Sequence, residues 1–131
     1  MNASTFFVLG MAAGLLLIFE GISLRRTGGR LSALLAITTL IEIGWLILCI
    51  YAVFRINLPG WTILIPAAYL AYFVIAAWQY GRADGLADVK DLSDIKIPLS
   101  FASIEIFCGA GLTALSGLAW VQFAERLAQL N

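Results

Sequence analysis

The chain contains no histidine, and it has only two cysteines and three prolines. Without histidine it lacks the ligand of His-bound haem and of zinc sites that use histidine, and it lacks Ser-His catalytic machinery. It has neither a C-x-x-C pair nor a glycine loop in the strand, loop and helix context that cradles phosphate. We predict no cofactor and no metal site, and we do not expect an enzyme. Proton donation by a membrane acid to an epoxide or alkene is the one enzymatic alternative.

Charge is also scarce, because only 12% of the residues are charged whereas 62% are hydrophobic. Eight basic and eight acidic residues cancel, so a broad basic surface for nucleic acid is not expected and no nucleic-acid partner is predicted. A mean hydropathy of +0.96 lies far outside the range of soluble domains. The composition therefore predicts an integral membrane protein that sits in a lipid bilayer.

Four long apolar runs fill the sequence, each near the roughly 20 residues that a helix needs to cross a bilayer. The predicted spans cover about residues 4–24, 31–54, 60–80 and 98–121. Little of the chain is left for a folded soluble part. We predict an all-α, integral membrane four-helix bundle with short loops, formed by residues 1–131 as a single transmembrane domain.

The polar stretch at residues 81–97 has the pattern of a short amphipathic segment lying at the membrane surface. Its apolar and acidic sides are Leu86, Val89, Leu92 and Ile95, and Asp84, Asp88 and Asp91. Hard cations require several oxygens that converge from a defined loop, and the spacing here is not that of a calcium loop. We interpret the aspartates as a solvated face.

The basic residues are distributed unevenly about the four spans. Six of the eight lie in the first and third loops, and only Arg55 and Arg126 lie on the opposite side. Because basic residues are enriched in cytoplasmic loops, we predict that loops 25–30 and 81–97 face the cytoplasm. Both termini would then be periplasmic, in a bacterial inner membrane.

Small residues mark one face of the first span, where Gly10, Gly14 and Gly21 follow one another at helical spacing. Such a face lets a second helix approach closely. The glycines are predicted to pack within the bundle, with a seam between two copies of the chain as the alternative.

Two glutamates, Glu42 and Glu105, lie well inside apolar runs, and Glu20 lies near the end of the first span. Counted from Arg30 and Pro98, Glu42 is roughly 18 Å deep and Glu105 roughly 10 Å deep. The three acids would form a staircase from the cytoplasmic surface to mid-membrane. No basic residue is expected at the depth of Glu42, so a protonated acid that hydrogen-bonds to a neighbour is the expected form.

Each of the two deep acids shares a helix face with polar or small residues. In the second span these are Thr38, Trp45 and Cys49, and in the fourth they are Gly109, Thr113 and Ser116. If the two faces meet, they line a narrow polar seam. Its candidate transport or ligand-binding residues are Glu42, Glu105, Glu20, Trp45, Thr38 and Ser116.

Intramembrane carboxylates are costly and often mark a function. We interpret the protein as a transporter or channel-type component that moves a proton, a cation or a small cationic solute along this seam. The alternative is a non-catalytic accessory or assembly subunit whose glutamates hydrogen-bond neighbours and hold the bundle together. In either case a homo-oligomer or a larger membrane complex is expected.

Overall fold

The computed structural model describes residues 1–81 and 95–129. Its helices are α1 (Ala3–Arg26), α2 (Ala33–Arg55), α3 (Leu64–Gly81) and α4 (Leu99–Gln129), and a 3-10 turn at Gly60–Ile63 leads into α3. All four helices are long and apolar enough to cross a membrane, if α3 is counted with its preceding turn. The predicted all-α four-helix membrane bundle is confirmed.

Polar side chains and proline set where the helices begin. The Asn2 side chain accepts a hydrogen bond from the Thr5 amide at 2.9 Å, and Ser32 accepts one from the Leu35 amide at 3.3 Å. Both residues therefore satisfy an amide that the first helical turn leaves without a partner. Pro98 precedes α4, where its missing N–H costs nothing.

Helices α1 and α4 pack against each other in antiparallel directions, with glycine at the contacts. A methyl group built on Gly14 would lie 2.6 Å from the carbonyl oxygen of Gly109, and one on Gly21 would lie 2.6 Å from that of Ala102. The two backbones therefore touch directly, as small residues allow in membrane helices. Gly10 meets Ser116 further along the same contact.

A continuous series of aromatic rings runs through the interior and connects all four helices. Successive ring centroids are 5.1 to 6.4 Å apart. This aromatic series comprises, in spatial order, Phe101, Tyr72, Tyr69, Trp45, Phe6, Phe7 and Phe123. Rings at such distances in stacked, tilted and edge-on arrangements attract each other beyond simple burial.

The loop between α1 and α2 is joined to the segment before α4. The Ile97 amide donates to the Gly29 carbonyl at 2.8 Å, and the Leu31 amide donates to the Ile95 carbonyl at 3.3 Å. We call this side of the bundle the Arg30 end, and we call the opposite side, with the turn before α3, the Trp61 end. Most of the polar stretch at 81–97, including its proposed surface helix, lies outside the described residues.

Candidate functional site

Glu20 of α1, Glu42 of α2 and Glu105 of α4 line a single cavity of about 370 Å³ in the half of the bundle nearer the Arg30 end. We call it the glutamate cavity. Its wall also receives Tyr72 from α3, so all four helices contribute to it.

The close contact between α1 and α4 brings two of the acids together. Gly21 packs on Ala102 and Ile106. Glu20 precedes that glycine in α1, and Glu105 lies next to Ile106 in α4. A larger residue at position 21 would hold the two helices apart, and the two carboxyl groups with them.

The acids are removed from solvent and incompletely hydrogen-bonded. Glu20 is 2% exposed and Glu105 is 4% exposed, whereas Glu42 is half-buried. Within the described part of the chain, one carboxyl oxygen of each acid has no hydrogen-bond partner. Buried polar atoms are normally satisfied, so three such oxygens around one cavity call for a ligand, water or proton.

Glu20 also makes two polar contacts, one with the Thr38 hydroxyl and one with the Glu42 carboxyl group. The Thr38 hydroxyl meanwhile donates to the carbonyl of Leu35 at 2.9 Å. An ionised carboxylate can only accept hydrogen bonds, so two acids can bond to each other directly only when one of them carries a proton.

Among the described residues, no lysine or arginine lines this cavity. In residues 1–81 and 95–129, every lysine and arginine side chain is exposed. Arg25, near the end of α1, donates to the Ser103 hydroxyl at 2.7 Å. No cationic side chain in the described part of the chain thus neutralises the negative charge that the acids can carry. Over the same residues, no three Asp, Glu or Cys side chains are grouped closely enough to hold a metal ion.

Away from the carboxyl groups, the wall of the glutamate cavity is mainly apolar and aromatic. Representative lining residues are Leu24, Leu35, Ile43, Tyr72, Phe73 and Phe101. The combination of an apolar surface with a few convergent polar groups is typical of small-molecule sites.

The acids differ less in depth than the sequence predicted. Helix α2 begins at Ala33, so Glu42 lies roughly 14 Å from its start rather than 18 Å from Arg30. Glu20 and Glu105 each lie roughly 9 Å from the nearest end of their helices. By this count Glu42 lies roughly 5 Å deeper than the other two acids, and all three line the same cavity.

Three of the predicted candidates, Thr38, Trp45 and Ser116, are not among the residues that line the cavity. Ser116 packs against Gly10, and the Trp45 ring also reaches that glycine. Helix α1 lies over the Gly109 and Ser116 face of α4, because glycines let it approach more closely than α2 can. The acids therefore meet in the glutamate cavity, and the predicted continuous seam between the α2 and α4 faces does not form.

The lining residues Tyr72 and Phe101 were not among the predicted site residues. Their rings stack with centroids 6.3 Å apart and an angle of 25° between the ring planes. A signal existed in the sequence, since Tyr69 and Tyr72 place two polar-tipped rings one turn apart inside an apolar span.

Comparison with protein-family models, with curated proteins and with solved structures gives no significant match to this chain.

Proposed function

We propose that this membrane protein moves a proton, a cation or a small cationic solute, and that the glutamate cavity is its binding site. The observation that carries the proposal is the convergence of three carboxyl groups from three helices on one cavity, whose wall contains no basic side chain among the described residues. A charge placed in the membrane interior is costly and is retained mainly where it serves ions, protons or ligands.

The pair of Glu20 and Glu42 supplies the exchange chemistry. A proton held between two carboxyl groups can leave when a cation arrives, because the cation takes over the neutralisation of the same charge. Glu105 adds a third acid to the cavity, so the site can hold a cation while a proton stays bound.

The packed aromatic rings in the half of the bundle nearer the Trp61 end favour a carrier over an open channel. Towards the Trp61 end, Phe6 and Phe7 are fully buried, and Phe6 stacks on Trp45 with centroids 5.1 Å apart. These rings must move before a solute in the glutamate cavity can leave on that side. We propose that the Arg30 end is cytoplasmic, on the basis of the basic residues in its loops.

Reconstitution into liposomes tests the proposal. Wild-type protein is expected to give flux of protons or small cations above that of empty liposomes, and Glu42→Gln and Glu105→Gln are expected to abolish it. Glutamine keeps the size and most hydrogen bonding but cannot carry the charge. Glu125→Gln is the matched control, because Glu125 is exposed and lies outside the cavity.

The absence of flux in wild-type protein, or unchanged flux in Glu42→Gln at every pH, would contradict the proposal. The accessory-subunit function would then be the better account. A surface for a partner is present: α2 presents a broad apolar face, on which Leu40, Ile47 and Phe54 are 68%, 63% and 78% exposed. This face suits a lipid or a larger membrane partner, and native mass spectrometry of the purified assembly distinguishes homo-oligomer from heteromeric complex.

A further inference from the structure

The glutamate cavity needs positive charge or hydrogen-bond donors at three points on its wall. One oxygen of Glu20, of Glu42 and of Glu105 is buried there without a partner in the described residues. An unpartnered buried acceptor is unfavourable, so an occupant that supplies cationic or donor groups is favoured.

The rest of the wall selects among cations. A hard metal ion takes six to eight oxygen ligands. Here the remaining surface consists mostly of carbon, with Leu35, Ile43 and Phe73 among its members. That surface cannot complete the coordination of a metal ion, but it can bury an apolar group. A volume of about 370 Å³ also accommodates a small organic molecule.

Aromatic rings supply a second attraction for such a molecule. Tyr72 and Phe101 stack on each other and both line the cavity. Aromatic faces attract cations, and this attraction is strongest where water is excluded. Both rings are almost fully buried.

From these three features we infer that the glutamate cavity binds an organic cation with an apolar body, of the quaternary ammonium or hydrophobic amine class. The cationic centre lies near Glu42 and Glu105, and the apolar part packs against the aliphatic and aromatic wall. This inference rests on the proposed function and specifies the solute that the site accepts.

Equilibrium dialysis of the full chain in nanodiscs tests the inference, with empty nanodiscs as the background. The probe is phenyltrimethylammonium, and its neutral carbon isostere is tert-butylbenzene. Specific binding of the cation is expected, whereas the isostere should partition as it does into empty nanodiscs. Glu42→Gln and Glu105→Gln should each lower the affinity for the cation by about ten-fold, as expected for the loss of a charged contact.

Two further variants control this measurement. Tyr72→Leu is expected to weaken binding by a few-fold, because it removes the ring and keeps an apolar wall. Glu125→Gln is expected to leave binding unchanged. Circular dichroism and thermal melting show whether Glu105→Gln folds. If it does not, Glu105→Asp is the second test, because it keeps the charge but its shorter side chain moves that charge away from the bound cation.

Three results would overturn the inference: binding of tert-butylbenzene as strong as that of the cation, binding insensitive to both glutamine variants, or displacement of the probe by an equal concentration of sodium. Flux assays separate this failure from that of the proposed function. Glutamate-dependent flux of protons or sodium without binding of phenyltrimethylammonium refutes only the inference. Binding of the probe without any flux, including flux of the probe itself, refutes transport and leaves a binding protein.

Discussion

Replacing Gly14 by alanine should destabilise the bundle, because the added methyl group has no space. It would lie 2.6 Å from the Gly109 carbonyl oxygen and 2.7 Å from the Thr113 amide nitrogen, and it would also meet the Thr113 hydroxyl. Two of these three obstacles are backbone atoms, which cannot rotate away. Relief therefore requires α1 and α4 to separate.

The size of the separation follows from the geometry. Ordinary carbon contacts begin near 3.4 Å, so the methyl group on Gly14 is 0.8 Å too close to the Gly109 oxygen. A shift of that size loosens neighbouring contacts along α1 and α4. Overpacking of this kind costs about 1–3 kcal/mol.

The matched control is Gly44→Ala in α2. Gly44 is also helical, but a methyl group there meets nothing within 4 Å. The free energy of unfolding of this variant should be unchanged or higher by up to about 1 kcal/mol, because alanine has a higher helix propensity than glycine. The free energy of unfolding can be measured for both variants by titration with sodium dodecyl sulfate in mixed micelles, followed by circular dichroism.

A double variant tests whether the loss of stability in Gly14→Ala comes from the backbone contacts or from the contact with the Thr113 side chain. Thr113→Ala in the Gly14→Ala background removes the hydroxyl contact and leaves both backbone contacts. We expect it to restore little of the lost stability. The reasoning is refuted if Gly14→Ala is as stable as Gly44→Ala, or if the double variant recovers fully.

Three other measurements follow from the structure. Gly29→Ala should lower the free energy of unfolding by about 1–3 kcal/mol, and by more than Gly28→Ala does. Both positions have positive φ, but only at Gly29 would the added methyl group meet the backbone of the segment before α4. Equal unfolding midpoints for the two variants would contradict this. A membrane-permeant maleimide should modify the half-buried Cys108 before the fully buried Cys49, and mass spectrometry showing the reverse order would contradict the packing of α2. A cytoplasmic reporter should be inactive after Asn131 and active when inserted at Gly28, and the opposite pattern would reverse the proposed orientation.

Much of the fold could be predicted because a bilayer imposes simple rules. A span in hydrocarbon must satisfy its own backbone hydrogen bonds, so four apolar runs of this length become four helices. The acids were equally visible, since Glu42 and Glu105 interrupt runs of isoleucine and leucine. They could be identified as site candidates from one rule, which is that a charge in hydrocarbon is costly.

The way in which the helices meet could not be predicted in the same manner. In a soluble protein, an apolar stripe shows which face of a helix is buried. In a membrane, the lipid-facing and buried faces are both apolar, as the exposed Phe54 and the buried Leu17 illustrate. Shape then decides the packing, and the contact of Gly14 with Gly109 places α1, rather than α2, over the small-residue face of α4.

The packing of α1 against α4 determines where the candidate site forms. The sequence by itself determined four membrane helices and three acids among them, because hydropathy and the cost of buried charge are local properties. Only the tertiary structure decided that the acids share one cavity, with Glu20 in contact with Glu42 and with Tyr72 and Phe101 in the wall. The physical reason is that helix depth, crossing and the reach of side chains depend on close packing between residues far apart in the chain.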